Sequence, residues 1–134
     1  MDFPILTKQE QVDLDVAADK VAFGFARKAR ILSVGIIFRN SNATAATITV
    51  DKRVLSGSDT GRVNIDSIIK PASDQQGKYF YVKFDDLNIE VDCGDEIVFA
   101  TTVDPTGAML AECVIEYLDI AELHENLSDA VLSA

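Results

Sequence analysis

The residues best suited to catalysis or metal binding are few: one histidine, His124, and two cysteines, Cys93 and Cys113. His124 lies in a Glu-rich terminal segment that would hold a catalytic side chain poorly, so we interpret it as a solvated surface residue. The cysteines have neither a second pair nor a neighbouring histidine, which fits neither a zinc site nor a disulfide framework. We expect reduced thiols, with Cys113 buried as a small apolar residue, and no cofactor; pairing of Cys93 with Cys113 stays open.

One tripeptide, Asp59-Thr60-Gly61, is similar to the one that carries the catalytic carboxylate of retroviral-type aspartic proteases. In that family the tripeptide follows an apolar strand, and two like carboxylates share a proton at a dimer interface. Here it follows the polar loop Ser56-Gly57-Ser58, and no second motif of the family lies downstream. A protease is therefore a remote alternative, and we expect no enzymatic activity.

Acidic residues cluster at Asp85-Asp86, Asp92 and Asp95-Glu96. Carboxylates of this kind could bind Ca²⁺, which takes about six to eight oxygen ligands, but the register of a known calcium loop is missing. The favoured interpretation is a solvated acidic edge that discourages pairing between sheet edges. Calcium binding stays open.

The net charge of −10 is unevenly distributed along the chain. Residues 1–84 carry 12 Lys and Arg against 9 Asp and Glu, whereas residues 85–134 carry 13 acids and no Lys or Arg. An acidic protein repels a phosphate backbone, so nucleic acid is not an expected partner. The sequence shows neither a membrane-length apolar run nor a secretory signal, so we expect synthesis in a cytosol and no membrane partner.

Alternating apolar and polar residues dominate the chain from Arg30 onward. They predict strands at residues 30–39, 46–51, 63–66, 79–84, 87–92, 96–103 and 108–119. The run at 96–103 is apolar on both faces and should lie inside its sheet. We predict an all-β fold, a single antiparallel β-sandwich of the jelly-roll or immunoglobulin-like type.

The predicted organisation has three parts: an N-terminal arm or first strand at residues 1–20, the sandwich at 21–119 and a C-terminal amphipathic segment at 120–134. In the first part, Val12, Leu14 and Val16 alternate with polar residues. The last part has apolar residues at helical spacing, which predicts a short helix or tail. Turn-forming residues at 40–43 suggest a hairpin between the strands that flank them.

The strand-bearing region, residues 12–119, resembles the small β-sandwich decoration (cement) proteins of tailed-bacteriophage heads. The similarity is carried by ARILSVGIIFRN at 29–40, AATITVDK at 45–52, GDEIVF at 94–99 and VIEY at 114–117. The resemblance implies a virion structural protein on the capsid exterior, synthesised in the host cytoplasm. It would be a homotrimer that clamps neighbouring subunits of the major capsid protein, without catalytic or metal residues.

Two features of the sequence suggest how such a protein would bind. An apolar N-terminal tip could reach a partner, and the basic and acidic halves of the chain could pair head to tail in a closed ring of copies. Apolar burial would have to supply most of the affinity, because exposed ion pairs contribute only about 0–1 kcal/mol each. The candidate interface residues are Phe3, Ile5, Leu6, Phe23, Phe25, Arg27, Lys28, Arg30, Glu112, Glu116, Glu122, Leu123 and Leu127.

A carbohydrate- or receptor-binding module of a phage fibre is the main alternative. Sugar-binding surfaces usually need exposed aromatic faces, and the chain has no Trp and three Tyr. Tyr79 and Tyr81 share one face of a predicted strand and are the candidates for such a surface.

Overall fold

The computed structural model describes residues 4–54, 61–84, 89–103 and 105–120. Within these ranges the chain forms nine β-strands in two antiparallel sheets, which confirms the predicted all-β sandwich. The strands are β1 (Leu6–Asp13), β2 (Ala18–Gly24), β3 (Ala29–Phe38), β4 (Ala46–Arg53), β5 (Arg62–Lys70), β6 (Tyr79–Lys83), β7 (Glu90–Val91), β8 (Glu96–Thr101) and β9 (Leu110–Asp119).

The strand order identifies the type of sandwich. The first sheet runs β1-β9-β3-β6, with the short β7 also paired to β3, and the second sheet runs β2-β8-β4-β5. In the first sheet β1 pairs with β9, and in the second sheet the next strand, β2, pairs with β8. In the same way, β3 pairs with β6 in the first sheet and β4 pairs with β5 in the second. This nesting of strand pairs is the jelly-roll topology, so the jelly-roll alternative describes the fold.

The core lies between the sheets and follows the period of two that the sequence shows. Inward-facing side chains from four strands are almost completely buried, and each Val, Ile and Phe among them contributes about 1.5–3 kcal/mol through apolar burial. The predicted interior strand at residues 96–103 is confirmed for Glu96–Thr101, because β8 pairs with both β2 and β4. The fully buried set includes Val34, Ile36, Phe38, Ile48, Val50, Ile97, Phe99, Cys113 and Ile115.

The predicted hairpin at residues 40–43 is wrong, because β3 and β4 belong to different sheets. The connection between β3 and β4 is instead fixed by hydrogen bonds to the loop between β8 and β9. The Asn42 side-chain amide donates to the carbonyl oxygens of Thr106 and Ala108 at 3.2 and 2.9 Å, and the Thr44 amide donates to Asn42 Oδ1 at 2.8 Å. Turn-forming residues therefore mark a crossover between layers here.

The ends of the described chain bear on the predicted arm and tail. Leu6–Asp13 is the edge strand β1, fully paired with β9, so these residues form a first strand and not an arm. Since β2 begins at Ala18, the predicted boundary after residue 20 falls inside a strand. Ile120, whose amide donates to the Lys28 carbonyl oxygen at 3.2 Å, is the last described residue, so the predicted C-terminal segment lies almost wholly outside the described ranges.

Candidate interaction surfaces

The predicted apolar tip is exposed where the structure describes it. Ile5 is 58% exposed just before β1, and Leu6, the first residue of β1, is also exposed opposite Tyr117 of β9. Phe3 lies outside the described residues. Two apolar side chains at the start of an edge strand are therefore available for contact.

The prediction that Phe23 and Phe25 lie at an interface is wrong, because they are only 7% and 4% exposed. Phe23 packs edge-to-face against Phe99 with ring centroids 5.8 Å apart, and Phe25 packs in the same way against Tyr117 at 5.3 Å. Together with Val21 they alternate along the chain, and this period turns all three side chains into the core.

The basic residues predicted to face a neighbouring copy have acidic partners within the chain. Arg27 pairs with Asp119 at 3.3 Å, while Lys28 and Arg30 pair with Glu90 at 3.6 and 3.3 Å. The Arg30 hydrogen bond, with both positive charges nearby, holds the pKa of Glu90 below its ordinary value. A head-to-tail contact through these cations would have to compete with the pairs already formed.

The predicted acidic side of that contact is also engaged within the chain. Glu112 accepts hydrogen bonds from Arg39 at 2.6 Å, Gln9 at 2.6 Å and Gln11 at 3.2 Å. These donors, led by Arg39, lower the pKa of Glu112. Ser33 donates to Glu116 at 3.3 Å, and the remaining candidates of the tail, Glu122, Leu123 and Leu127, lie outside the described residues.

The two tyrosines proposed for sugar binding stack on each other on the outer face of the first sheet. Their ring centroids are 5.1 Å apart and the rings are inclined by 26°. Tyr79 also lies against the backbone of Gly35, and this burial raises the pKa of its hydroxyl. The Lys83 ammonium lies 5.7 Å from the Tyr81 centroid. Each ring already packs on the other. Tyr81 is the more exposed of the two and therefore offers the larger free surface to a ligand.

The outer face of the second sheet carries an ion-pair network that the sequence analysis missed. Arg62 binds Asp19 through two nitrogens at 2.8 and 2.9 Å and Asp51 through Nε at 2.8 Å. Arg53 binds Glu96 through Nε and a terminal nitrogen at 3.1 and 2.9 Å, and approaches Asp19 at 3.5 Å. Alternation can predict which of these charged residues lie in strands, but the contacts between them depend on the order of the strands in the sheet.

An apolar cleft of about 430 Å³ opens between the sheets beside β5. Val54, Val63, Ile65 and Ile89 form its apolar walls, and the Lys52 ammonium at its rim donates to the Glu90 carbonyl oxygen at 2.8 Å. Over the residues that the structure describes, no group of three or more His, Cys, Asp or Glu side chains is arranged to hold a metal ion.

The remaining residues considered for catalysis or metal binding are the two cysteines, Asp59 and His124. Cys93 and Cys113 are both free, so they do not pair in this structure. Cys113 is buried, as predicted, and burial raises the pKa of its thiol to about 12. Asp59 and His124 lie outside the described residues, and within the described ranges no helix is long and apolar enough to cross a membrane.

The fold and these surfaces define an eight-stranded jelly roll with one added short strand, counted over the described part of the chain. No family model matches the sequence, and no curated protein matches it. A solved structure of infectious bursal disease virus, Gt strain, is similar over 87% of this chain and 32% of that chain, with 8% identity and a TM-score of 0.40. A structure of the Gx strain covers 89% and 30%, with 10% identity and a TM-score of 0.32. The chain thus spans less than a third of either viral chain, and these similarities are too weak to assign it to a family.

Proposed function

We propose that the chain is a virion structural protein that binds the outer surface of a phage capsid after synthesis in the host cytoplasm. It stabilises the shell by clamping neighbouring subunits of the major capsid protein, and it has no enzymatic activity. The observation that carries the proposal is the exposed Ile5-Leu6 tip at the start of the edge strand of a rigid jelly roll. It adds to the resemblance of residues 12–119 to phage head decoration proteins.

A clamp needs a stiff body and an exposed apolar contact on its surface. The two packed sheets supply the body, and the tip supplies apolar area whose burial is worth about 25 cal/mol per Å². Jelly rolls recur in viral capsid proteins and in lectins, which supports both a capsid role and a sugar-binding role by analogy of fold alone.

A homotrimer at three-fold positions of the shell remains part of the proposal. The charged side chains expected to join the copies have partners within the chain, so exchanging those partners would yield little net free energy. We therefore expect apolar surface, including Leu6, to contribute more to any contact between copies than Arg27 or Arg30 does.

Binding to undecorated expanded heads tests the proposal directly. The wild-type chain should sediment with the heads and add density to their outer surface in cryo-electron microscopy. The double variant Ile5→Ser/Leu6→Ser should bind at least tenfold more weakly, because it loses the apolar contact. Val63→Ser, which alters an exposed apolar residue on β5, is the matched control and should bind like the wild type. Failure of the wild type to bind, or equal binding by the double variant, would contradict the clamp.

A carbohydrate- or receptor-binding role is the second candidate, favoured by the exposed Tyr81 on the outer face of the first sheet. A glycan array would show binding by the wild type that Tyr81→Ala abolishes and Ile5→Ser/Leu6→Ser retains. The opposite pattern, no glycan bound and heads bound through the tip, would favour the clamp.

A further inference from the structure

Arg62 and Asp19 join opposite edges of the second sheet. Arg62 is the first residue of β5 and Asp19 lies in β2, and the order β2-β8-β4-β5 makes these the two edge strands. Their bidentate contact at 2.8 and 2.9 Å therefore spans the outer face of β8 and β4. On the way, Arg62 Nε donates to Asp51 of β4 at 2.8 Å.

The side chains that cross this face also cover it. Val98 points outward from β8 between Ala22 and Asp51, yet it is 0% exposed. On β8, Val98 lies between Glu96, which is opposite Arg53, and Ala100, which is opposite Asp19, so the contacts of Arg53 and Arg62 with Asp19 cross this part of the face. Their methylene groups bury apolar surface while their guanidinium groups stay hydrogen-bonded.

The contact lies beside an irregularity in the backbone pairing of β2. β2 pairs with β8 alone, and its register with β8 shifts between Asp19 and Val21. An irregularity of this kind interrupts the ladder hydrogen bonds and leaves an edge strand easier to detach. The charge-assisted bidentate pair between Arg62 and Asp19 stabilises β2 at the position where this ladder is irregular.

We propose that the Arg62–Asp19 pair is a latch that controls local detachment of the start of β2, residues 18–20, while Val21 and Phe23 stay packed in the core and the rest of the sandwich stays folded. When the latch opens, Ala100 and Thr101 of β8 lose their partners in β2, and their backbone groups on that edge become accessible to water. The Arg62 hydrogen bond holds the pKa of Asp19 below its ordinary value, consistent with a carboxylate that is ionised in the latched state.

Native-state hydrogen exchange, read by mass spectrometry at pH 7 on the full chain, tests the latch. Arg62→Gln should raise the exchange rates of the amides of residues 18–20 at least tenfold and leave those of β3 and β9 within twofold. Arg30→Gln is the matched control, because it removes an arginine paired to a carboxylate on the other sheet, and it should leave β2 exchange unchanged.

A second, milder variant keeps the proposal testable if Arg62→Gln fails to fold. Asp19→Asn keeps the shape of the side chain and removes its charge, so it should accelerate exchange in the same β2 amides by a smaller factor. Unchanged β2 exchange in both variants would overturn the proposal. An equal acceleration in every strand would also overturn it, because the pair would then contribute to global stability alone.

Discussion

Tyr79 fills the space that a side chain at position 35 would occupy. Its Cζ and hydroxyl oxygen lie 2.7 Å from the place where a Cβ on Gly35 would stand. Gly35 lies in the middle of β3, opposite Tyr81 of β6, and its backbone carries no positive φ angle. The close approach of the ring, and not backbone freedom, therefore favours glycine here.

Replacing Gly35 with alanine should displace Tyr79 and disrupt its stack on Tyr81. We expect the free energy of unfolding to fall by about 1–3 kcal/mol, the usual cost of overpacking, measured by urea denaturation. Gly24→Ala is the control, since nothing lies within 4 Å of its added Cβ. In a Tyr79→Ala background the cost of Gly35→Ala should nearly vanish, and a cost that persists there would contradict the role of the ring.

Lys70 is a buried cation with structural partners. It is only 1% exposed, and its ammonium donates to the carbonyl oxygens of Thr44, Pro71 and Ser73 at 2.7, 3.3 and 3.0 Å. Burial lowers its pKa. Lys70→Met should leave these acceptors without their donor and lower the free energy of unfolding by about 1–3 kcal/mol, measured by chemical denaturation. The exposed Lys78→Met should change it by less than about 0.5 kcal/mol, and equal effects would contradict this role.

Stability should depend on pH through Glu112. Its pKa in the folded chain is lower than the ordinary value of 4.5, chiefly because of the Arg39 hydrogen bond. A lowered pKa means that the folded state favours the ionised form, so the stabilisation is present above pH 4.5 and is lost as the pH falls through the folded value. Glu112→Gln should therefore unfold more easily than the wild type at pH 7, with the difference shrinking below pH 4.5 in thermal melts. A difference that stays constant down to pH 2 would contradict this linkage.

The two thiols should differ sharply in reactivity. Cys93 is exposed, whereas burial raises the pKa of Cys113 to about 12 and keeps reagents away from it. Ellman's reagent should titrate one thiol rapidly in the native chain, the second only in denaturant, and none rapidly in Cys93→Ser. Two rapid thiols in the native wild type would show that Cys113 is accessible.

The sequence predicts strands better than their arrangement. Alternation located β3 and the interior strand β8, because a period of two is a local property of the chain. The hairpin after β3 was wrongly predicted because the same turn residues can close a hairpin or guide a crossover between sheets. β2 was missed, although the spacing of Val21, Phe23 and Phe25 carries the same signal.

The candidate surfaces show the same division between local and long-range information. Exposure of Ile5 and Leu6 agrees with an apolar tip, whereas Phe23 and Phe25 lie in the core because they follow the alternation that begins in β2. The Arg62 network could not be predicted, because Asp19 reaches Arg62 only through the order of four strands. Sequence alone does not fix that order.

The position of β9 has a consequence for how the chain acquires its structure. β9 lies between β1 and β3 in the first sheet, and its Glu112 meets Gln9 across 103 residues of sequence. Among the described strands β9 is synthesised last, so during translation its two neighbours lack their shared partner until residues 110–119 have emerged. A truncation before residue 110 would remove the middle of that sheet and leave two edges apart, so folding should be a late, slow and all-or-none event.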